Sequence, residues 1–223
     1  MIEYYNEDCM AGMARYPDKH FDLAIVDPPY GIGINHNIGR RKGDKASEYK
    51  KAYWDSQPPN ESYFEELKRV SEHQIIWGAN YFQMPPSKCF IVWRKPQISE
   101  QVSFSMLEYA WTSFNQTSKE FIGMSNEKGR LHPTQKPVAL YKWLLKNYAK
   151  QGDLILDTHV GSASSLIACH DMGFDAVGFE LDVDYYKASK QRLEDFMAQP
   201  RLEEVYKKEL EQIQLMEVIN LDR

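Results

Sequence analysis

A strict alternation of short apolar runs and helical stretches in the C-terminal half limits the fold more than any other feature. LILD at 154–157 is followed by Ser162 to Met172, whose spacing predicts a helix stopped by Gly173. DAVGFE at 175–180 is a second apolar run, and Val183 to about Met197 is a second helical stretch. Strands joined in this way by crossover helices run parallel. The expected fold is therefore α/β, a mainly parallel sheet with helices on both faces. Upstream, a helix is expected from Pro137 to Lys150, with Leu140, Leu144, Leu145 and Tyr148 on one face and Gly152 closing it. FDLAIVD at 21–27 fits a buried parallel strand, which the following Pro28 and Pro29 end. Residues 60–72 read as a helix on Phe64, Leu67 and Val70, and His73–Trp77 and Cys89–Trp93 read as buried strands. Segments of about 34–59 and 94–131 read as irregular. Beyond Pro200, an apolar stripe from Leu202 to Met216 predicts a C-terminal amphipathic helix over 201–223.

Composition excludes several classes. The chain is 43% hydrophobic and 13% aromatic, enough for a packed core rather than wholesale disorder. Its apolar runs fall well short of the roughly 18–20 residues a membrane span needs. The opening MIEYYNEDCM is acidic and lacks the apolar stretch of a secretory signal. Three widely spaced cysteines, Cys9, Cys89 and Cys169, suit neither a disulfide framework nor a four-cysteine zinc site. A cytoplasmic protein with no membrane partner and no metal is expected. A net charge of −5 argues at first against nucleic acid. That average hides a local excess. Residues 36–51 hold six Lys/Arg (Arg40, Arg41, Lys42, Lys45, Lys50 and Lys51) against Asp44 and Glu48.

Ligands of open α/β sheets bind outside the carboxyl ends of the strands, so residues just after each strand carry most of the functional information. Two such junctions stand out. At Asp157-Thr158-His159-Val160-Gly161-Ser162, a glycine turn joins strand to helix, and Glu180 ends the next strand 19 residues after Gly161. An acid at about that spacing accepts hydrogen bonds from ribose hydroxyls. The phosphate-cradling glycine fingerprint and the P-loop lysine are both missing, which favours an adenosine ligand without phosphates. An ordinary strand–turn–helix with a solvated Glu180 fits the same residues. The second junction is Asp27-Pro28-Pro29-Tyr30. A carboxylate, proline carbonyls with no adjacent N–H, and an aromatic ring suit a planar substrate bearing an amino group. A Pro-Pro turn capped by an Asp is the plainer alternative.

Asp27-Pro28-Pro29-Tyr30 resembles the catalytic motif of the DNA amino-methyltransferases, which methylate adenine N6 or cytosine N4. Further blocks are similar to that family in the same order: Asn6 to Met13, FDLAIVDPPYGIG, Ile76 to Phe82, Cys89 to Trp93, His132-Pro133-Thr134-Gln135-Lys136-Pro137, DTHVGSASS at 157–165, and Gly178 to Glu180 followed by Tyr185, Ala188 and Arg192. The resemblance spans about residues 1–197. Its catalytic block precedes its cofactor block, as in the beta subgroup. It departs from the family's F-x-G-x-G turn at two places: His159 stands for the Phe and Ala163 for the second Gly. Ala163 is harmless if its backbone is helical and harmful if a positive φ is needed.

The resemblance implies a Rossmann-like S-adenosylmethionine-dependent methyltransferase fold with permuted motif order. The methyltransferase domain spans 1–200, with a catalytic half at 1–95 and a cofactor half at 132–200. Asp27, Pro28, Pro29 and Tyr30 are the catalytic group. Asp157, Thr158, His159, Gly161, Ser162, Glu180, Asp8 and Lys136 are expected at the cofactor. Arg40, Arg41, Lys42, Lys45, Arg94 and Lys95 are expected to face DNA from the loops at about 34–59 and 94–131. The implied reaction is transfer of a methyl group from S-adenosylmethionine to adenine N6 in DNA, by direct attack of a flipped-out base and without a metal. S-adenosylhomocysteine is the product. A cytosine-N4 enzyme and a catalytically weak DNA-binding relative are the alternatives. Methylation of RNA or protein amides and nicotinamide oxidoreduction fit less well. DNA is the expected partner, a homodimer and a cognate restriction endonuclease being further ones the family suggests.

Overall fold

The computed structural model describes residues 1–33, 55–98, 105–125, 130–132 and 134–199. These residues form one eight-stranded sheet. Its strands are β1 (Ile2–Tyr5), β2 (Phe21–Val26), β3 (Ser71–Trp77), β4 (Phe90–Arg94), β5 (Leu107–Thr112), β6 (Lys119–Ile122), β7 (Leu154–Asp157) and β8 (Asp175–Phe179), in the order β1-β8-β7-β2-β3-β5-β4-β6. All pairings are parallel except those of β5, which runs against both β3 and β4. The helices are α1 (Cys9–Met13), α2 (Glu61–Val70), α3 (Val138–Tyr148), α4 (Ser164–Met172) and α5 (Val183–Met197).

Alternation along the strands explains why both sheet faces are covered. In β2, Leu23 and Ile25 point to one face, where they pack with Leu140 and Leu144 of α3 and Leu166 of α4. Phe21, Ala24 and Val26 point to the other and pack with Met13 of α1 and Tyr63, Leu67 and Val70 of α2. Local signals place the helix ends. Asn60 accepts from the Tyr63 amide at 3.2 Å to start α2, and Asp182 accepts from the amides of Asp184 and Tyr185 at 2.8 and 3.0 Å to start α5. Gly173 takes φ 76° and ends α4.

The expected strands at 21–27, 73–77, 89–93, 154–157 and 175–180, and the expected helices between 60 and 197, appear within a few residues of their predicted bounds. The segment at 94–131 is a correction: it holds β5 and β6 rather than being irregular throughout. Both strands mix charged with apolar residues (Glu108, Lys119, Glu120), which hid them from a search for apolar runs. The basic stretch with Arg40, Arg41, Lys42 and Lys45, and the helix expected over 201–223, lie outside the described residues. Among the described residues no helix is long and apolar enough to cross a membrane.

The topology gathers four strand ends at one edge. β1, β8, β7 and β2 are parallel neighbours, and the chain continues outward from β7 to β8 on one side and from β2 to β3 on the other. Asp27, Asp157 and Glu180 therefore emerge side by side, with Asp8 after β1 close to them. The reversal of direction between β7 and β2 is where such sheets form a ligand crevice.

Candidate active site

A cavity of about 300 Å³ opens at this edge. Asp27 and Pro29 line it from β2, Thr158 to Ser162 from β7, Glu180 from β8 and Asp8 from the start of α1; Lys136 and His132 close another side. The two junctions singled out in the sequence thus share one space.

The Asp27 carboxylate is mostly buried and doubly engaged. Tyr30 donates its hydroxyl to Asp27 Oδ1 at 2.5 Å, and Lys136 Nζ donates to Oδ2 at 2.5 Å. Burial raises the Asp27 pKa, and the Lys136 ammonium opposes that rise. The Tyr30 ring stacks on Tyr81, with centroids 5.0 Å apart and planes 16° from parallel, and meets Phe82 edge-on at 6.1 Å. Its other neighbour is Gly78, at φ 68°, where an added Cβ would lie 2.0 Å from Tyr30 Cε1. Glycine is needed there twice, for the backbone conformation and for the space. The turn after Tyr30 hangs on Asp55, which is buried: its Oδ1 accepts from the amides of Tyr30 at 2.6 Å and Gly31 at 2.9 Å.

On the other side, the Glu180 carboxylate is fixed by two backbone donors, Gly161 N to Oε2 at 2.8 Å and Asp182 N to Oε1 at 2.9 Å. Burial raises its pKa. Asp157 does not line the cavity. It lies behind the turn, accepting from His159 N at 3.0 Å and from Ser165 Oγ at 2.5 Å, and burial pushes its pKa up to about 7. His159 packs edge-on against Tyr63, with centroids 5.4 Å apart, and its Nδ1 lies 2.9 Å from Thr158 Oγ1. Burial pulls its pKa down to about 4, so at neutral pH it is an uncharged ring, like the Phe it replaces. Ala163 adopts φ 62°, the left-handed conformation, and is fully buried. The position is one that favours glycine, not a helical one. Asp8 lines the cavity and also caps α1, accepting from Met10 N at 2.9 Å and Ala11 N at 3.2 Å.

Three expected roles change. Lys95, read as facing DNA, is buried, with its ammonium against Glu108 and 4.7 Å above the Trp93 ring. Arg94 is exposed at the end of β4 but pairs with Glu120 of β6 at 2.7 Å. Lys136 lines the cavity, yet its charge is directed at Asp27 and Glu108. Sequence reading missed Asp55, Glu108, Gly78 and Tyr81. Only Gly78, inside the Ile76–Phe82 block, lay within a stretch it had marked.

A family model described as DNA methylase matches residues 88–191. "Putative methylase YubD" from Escherichia coli (strain K12) is 26% identical over 221 residues, covering 86% of this chain and 90% of that protein. Two solved structures share the fold. The M1.HpyAVI–SAM complex aligns with a TM-score of 0.56 at 19% identity, covering 86% of this chain and 100% of that one. The PvuII DNA methyltransferase, cytosine-N4-specific, aligns with a TM-score of 0.56 at 12% identity, covering 87% and 90%.

Proposed function

The chain belongs to the N6/N4 DNA amino-methyltransferase family, and on that footing we propose that it methylates the N6 amino group of adenine in DNA, with S-adenosylmethionine as donor. The observation that carries the proposal is the single cavity lined by Asp27 and Pro29 on one side and by Gly161 and Glu180 on the other. It brings a group that can hold an amine next to a group that can hold a nucleoside.

The residues present fit the cofactor. A carboxylate held rigid by two amides suits a pair of ribose hydroxyls, and the volume is in the range of small-ligand pockets. Acidic side chains at the rim, Glu7, Asp8 and Asp182, suit a cationic ligand. Glu180 would hold the ribose. His159, Gly161 and Ser162 would line the methionine part, with Asp157 and Thr158 shaping the turn from behind and Asp8 at the rim. Bound there, S-adenosylmethionine supplies a methyl group on a cationic sulfur.

The chain's own residues do the rest. The target base must leave the duplex to reach the cavity. Its amine is a poor nucleophile because the nitrogen lone pair is delocalised into the ring. Asp27 and the Pro28 carbonyl accept the amine hydrogens, which favours a pyramidal nitrogen with a directed lone pair. For this, Tyr30 must release Asp27 Oδ1, and its ring must part from Tyr81 to stack on the base. Arg94 and the basic stretch at 40–45 would meet phosphates. The carboxylate form of the tetrad, Asp27, supports adenine. The cytosine-N4 specificity printed for the PvuII enzyme supports the second reading, a cytosine target.

Expression in a methylation-free bacterial strain, followed by mapping of modified bases, tests the proposal. N6-methyladenine at a recurring short sequence is expected. N4-methylcytosine would replace it with the second reading. Unmodified DNA would leave a relative that binds without transferring.

A further inference from the structure

Four buried charges of alternating sign run away from the cavity behind Asp27. Lys136 Nζ lies 2.5 Å from Asp27 Oδ2, 3.2 Å from Glu108 Oε2 and 3.3 Å from the Tyr30 hydroxyl. Lys95 Nζ pairs with Glu108 Oε1. The side chains of Lys95 and Lys136 are each 3% exposed, and Lys136 Nζ also sits 5.3 Å above the Trp77 ring. The residues come from the end of β2, the turn before α3, the start of β5 and the turn after β4. Well-packed apolar side chains stabilise a core at least as well as buried ion pairs do. A chain of four that ends on the carboxylate of the tetrad therefore calls for a role beyond stability.

We propose that Lys136 and Glu108 are positioning residues for methyl transfer: Lys136 fixes one oxygen of Asp27 and keeps the carboxylate charged, and Glu108 shares the Lys136 charge so that Asp27 is not neutralised by it. The inference rests on the functional reading above. During transfer the amine gains a methyl group, the carbon–sulfur bond breaks with its electron pair left on sulfur, and the nitrogen becomes cationic until it gives one proton to solvent. A nearby anion favours that change, and an unshared lysine would oppose it. Asp27, Lys136 and Glu108 together carry a net −1, while Lys95 at the far end neutralises Glu108 from the side away from the substrate.

The groups that act on Asp27 from the elements around it are Tyr30, Lys136, Glu108 of β5, Tyr63 of α2, Tyr141 of α3 and Asp157 of β7. Lys136 is the one cation in this set. Removing it leaves Asp27 with burial and like charges, which hold it protonated to higher pH. Removing Glu108 does the opposite, because Glu108 raises the Asp27 pKa. The two variants must shift the acid limb of the rate profile in opposite directions, which loss of packing alone would not produce.

The test is the single-turnover methylation rate against pH, at saturating cofactor, for wild type, Lys136→Met and Glu108→Gln, with cofactor affinity measured by calorimetry. Lys136→Met is expected to move the acid limb up by about one to three units. Its rate at pH 7 then falls about tenfold or more and recovers at higher pH, while cofactor affinity is unchanged. Glu108→Gln moves the limb down and lowers the plateau; it retains shape and decides the question alone if Lys136→Met does not fold. Coincident profiles, shifts of the same sign, or lost cofactor binding with an unshifted limb overturn the inference while leaving an active enzyme. Wild-type protein that transfers no methyl group overturns the functional reading and this inference with it.

Discussion

Replacing Asp55 should cost both stability and rate, and the two losses can be scaled from its hydrogen bonds. One carboxylate oxygen accepts both the Tyr30 and Gly31 amides, at 2.6 and 2.9 Å, and the residue is 3% exposed. Hydrogen bonds to a charged group contribute about 1.5–3 kcal/mol each, and the low end applies where two donors share one oxygen. Asp55→Ala is therefore expected to lose about 3 kcal/mol, and its two stranded amides sit in the turn that aims Tyr30. With a urea slope of about 3 kcal/mol/M, the unfolding midpoint falls by about 1 M without a change in slope. Misplacing the tetrad by about 1 Å costs about 10²-fold in rate. Asp55→Asn keeps an oxygen for both amides and loses only the charge, so about half the stability and most of the rate survive. Urea unfolding and single-turnover methylation of the two variants decide it. Equal losses for Ala and Asn, or an Ala variant with a normal rate, would refute the idea that Asp55 holds the turn by accepting those two bonds.

Gly78→Ala places a methyl group 2.0 Å from the Tyr30 ring at φ 68°; the backbone alone costs about 1–2 kcal/mol, and methyl transfer should fall about 10²-fold in a protein whose circular dichroism is unchanged. Asp157, with a pKa raised from 3.8 to about 7, binds its proton more tightly folded than unfolded, so its stabilisation is complete below about pH 4 and is lost as the pH rises through 7. Unfolding of Asp157→Asn at pH 4 and pH 8 should show the variant gaining on wild type by up to about 4 kcal/mol at the higher pH, and a constant gap would contradict the assignment. Tyr81 is 46% exposed and covers the Tyr30 face that the base would take. Tyr81→Ala should tighten binding of an extruded 2-aminopurine by up to about tenfold, read by fluorescence, whereas weaker binding would make Tyr81 a wall of the base site. Ala163→Gly relieves about 1–2 kcal/mol of backbone strain but removes a buried methyl worth about 0.8 and adds about 0.4–1 of unfolded-chain entropy. Its stability and cofactor affinity should stay near wild type, and a large gain in affinity by calorimetry would mark Ala163 as a defect of the cofactor turn.

The parts of the site that were legible in the sequence are those in which a motif sits on a single strand end. Asp27 to Tyr30 follow an apolar run, and Gly161 and Glu180 bracket one helix, so local spacing was enough to place them. His159 could also be read correctly as a ring for a ring, since burial removes its charge. Ala163 could not, because its effect depends on a backbone angle that the neighbouring Ser162 and Ser164 leave open. Lys95 was misread because a lysine in a polar stretch looks like a surface charge until its partner is known. That partner, Glu108, lies 13 residues away on a strand with no apolar run to announce it.

β5 explains why the support of Asp27 escaped a search confined to residues that follow strands. Parallel strands deliver their last residues to the ligand edge of the sheet, whereas a strand running the other way delivers its first. Trp77, the last residue of β3, pairs with Ala110, so Glu108, two residues nearer the start of β5, extends beyond the carboxyl end of β3. Trp93 pairs with Glu108 itself, which brings Lys95, just past β4, to the same level. One reversed strand thus supplies an acid, and its neighbour a base, to an edge built from parallel elements. Inserting β5 between β3 and β4 is therefore not a neutral elaboration of the fold. It supplies the carboxylate that shares Lys136 with Asp27, and the shift of sign expected between Lys136→Met and Glu108→Gln follows from that placement.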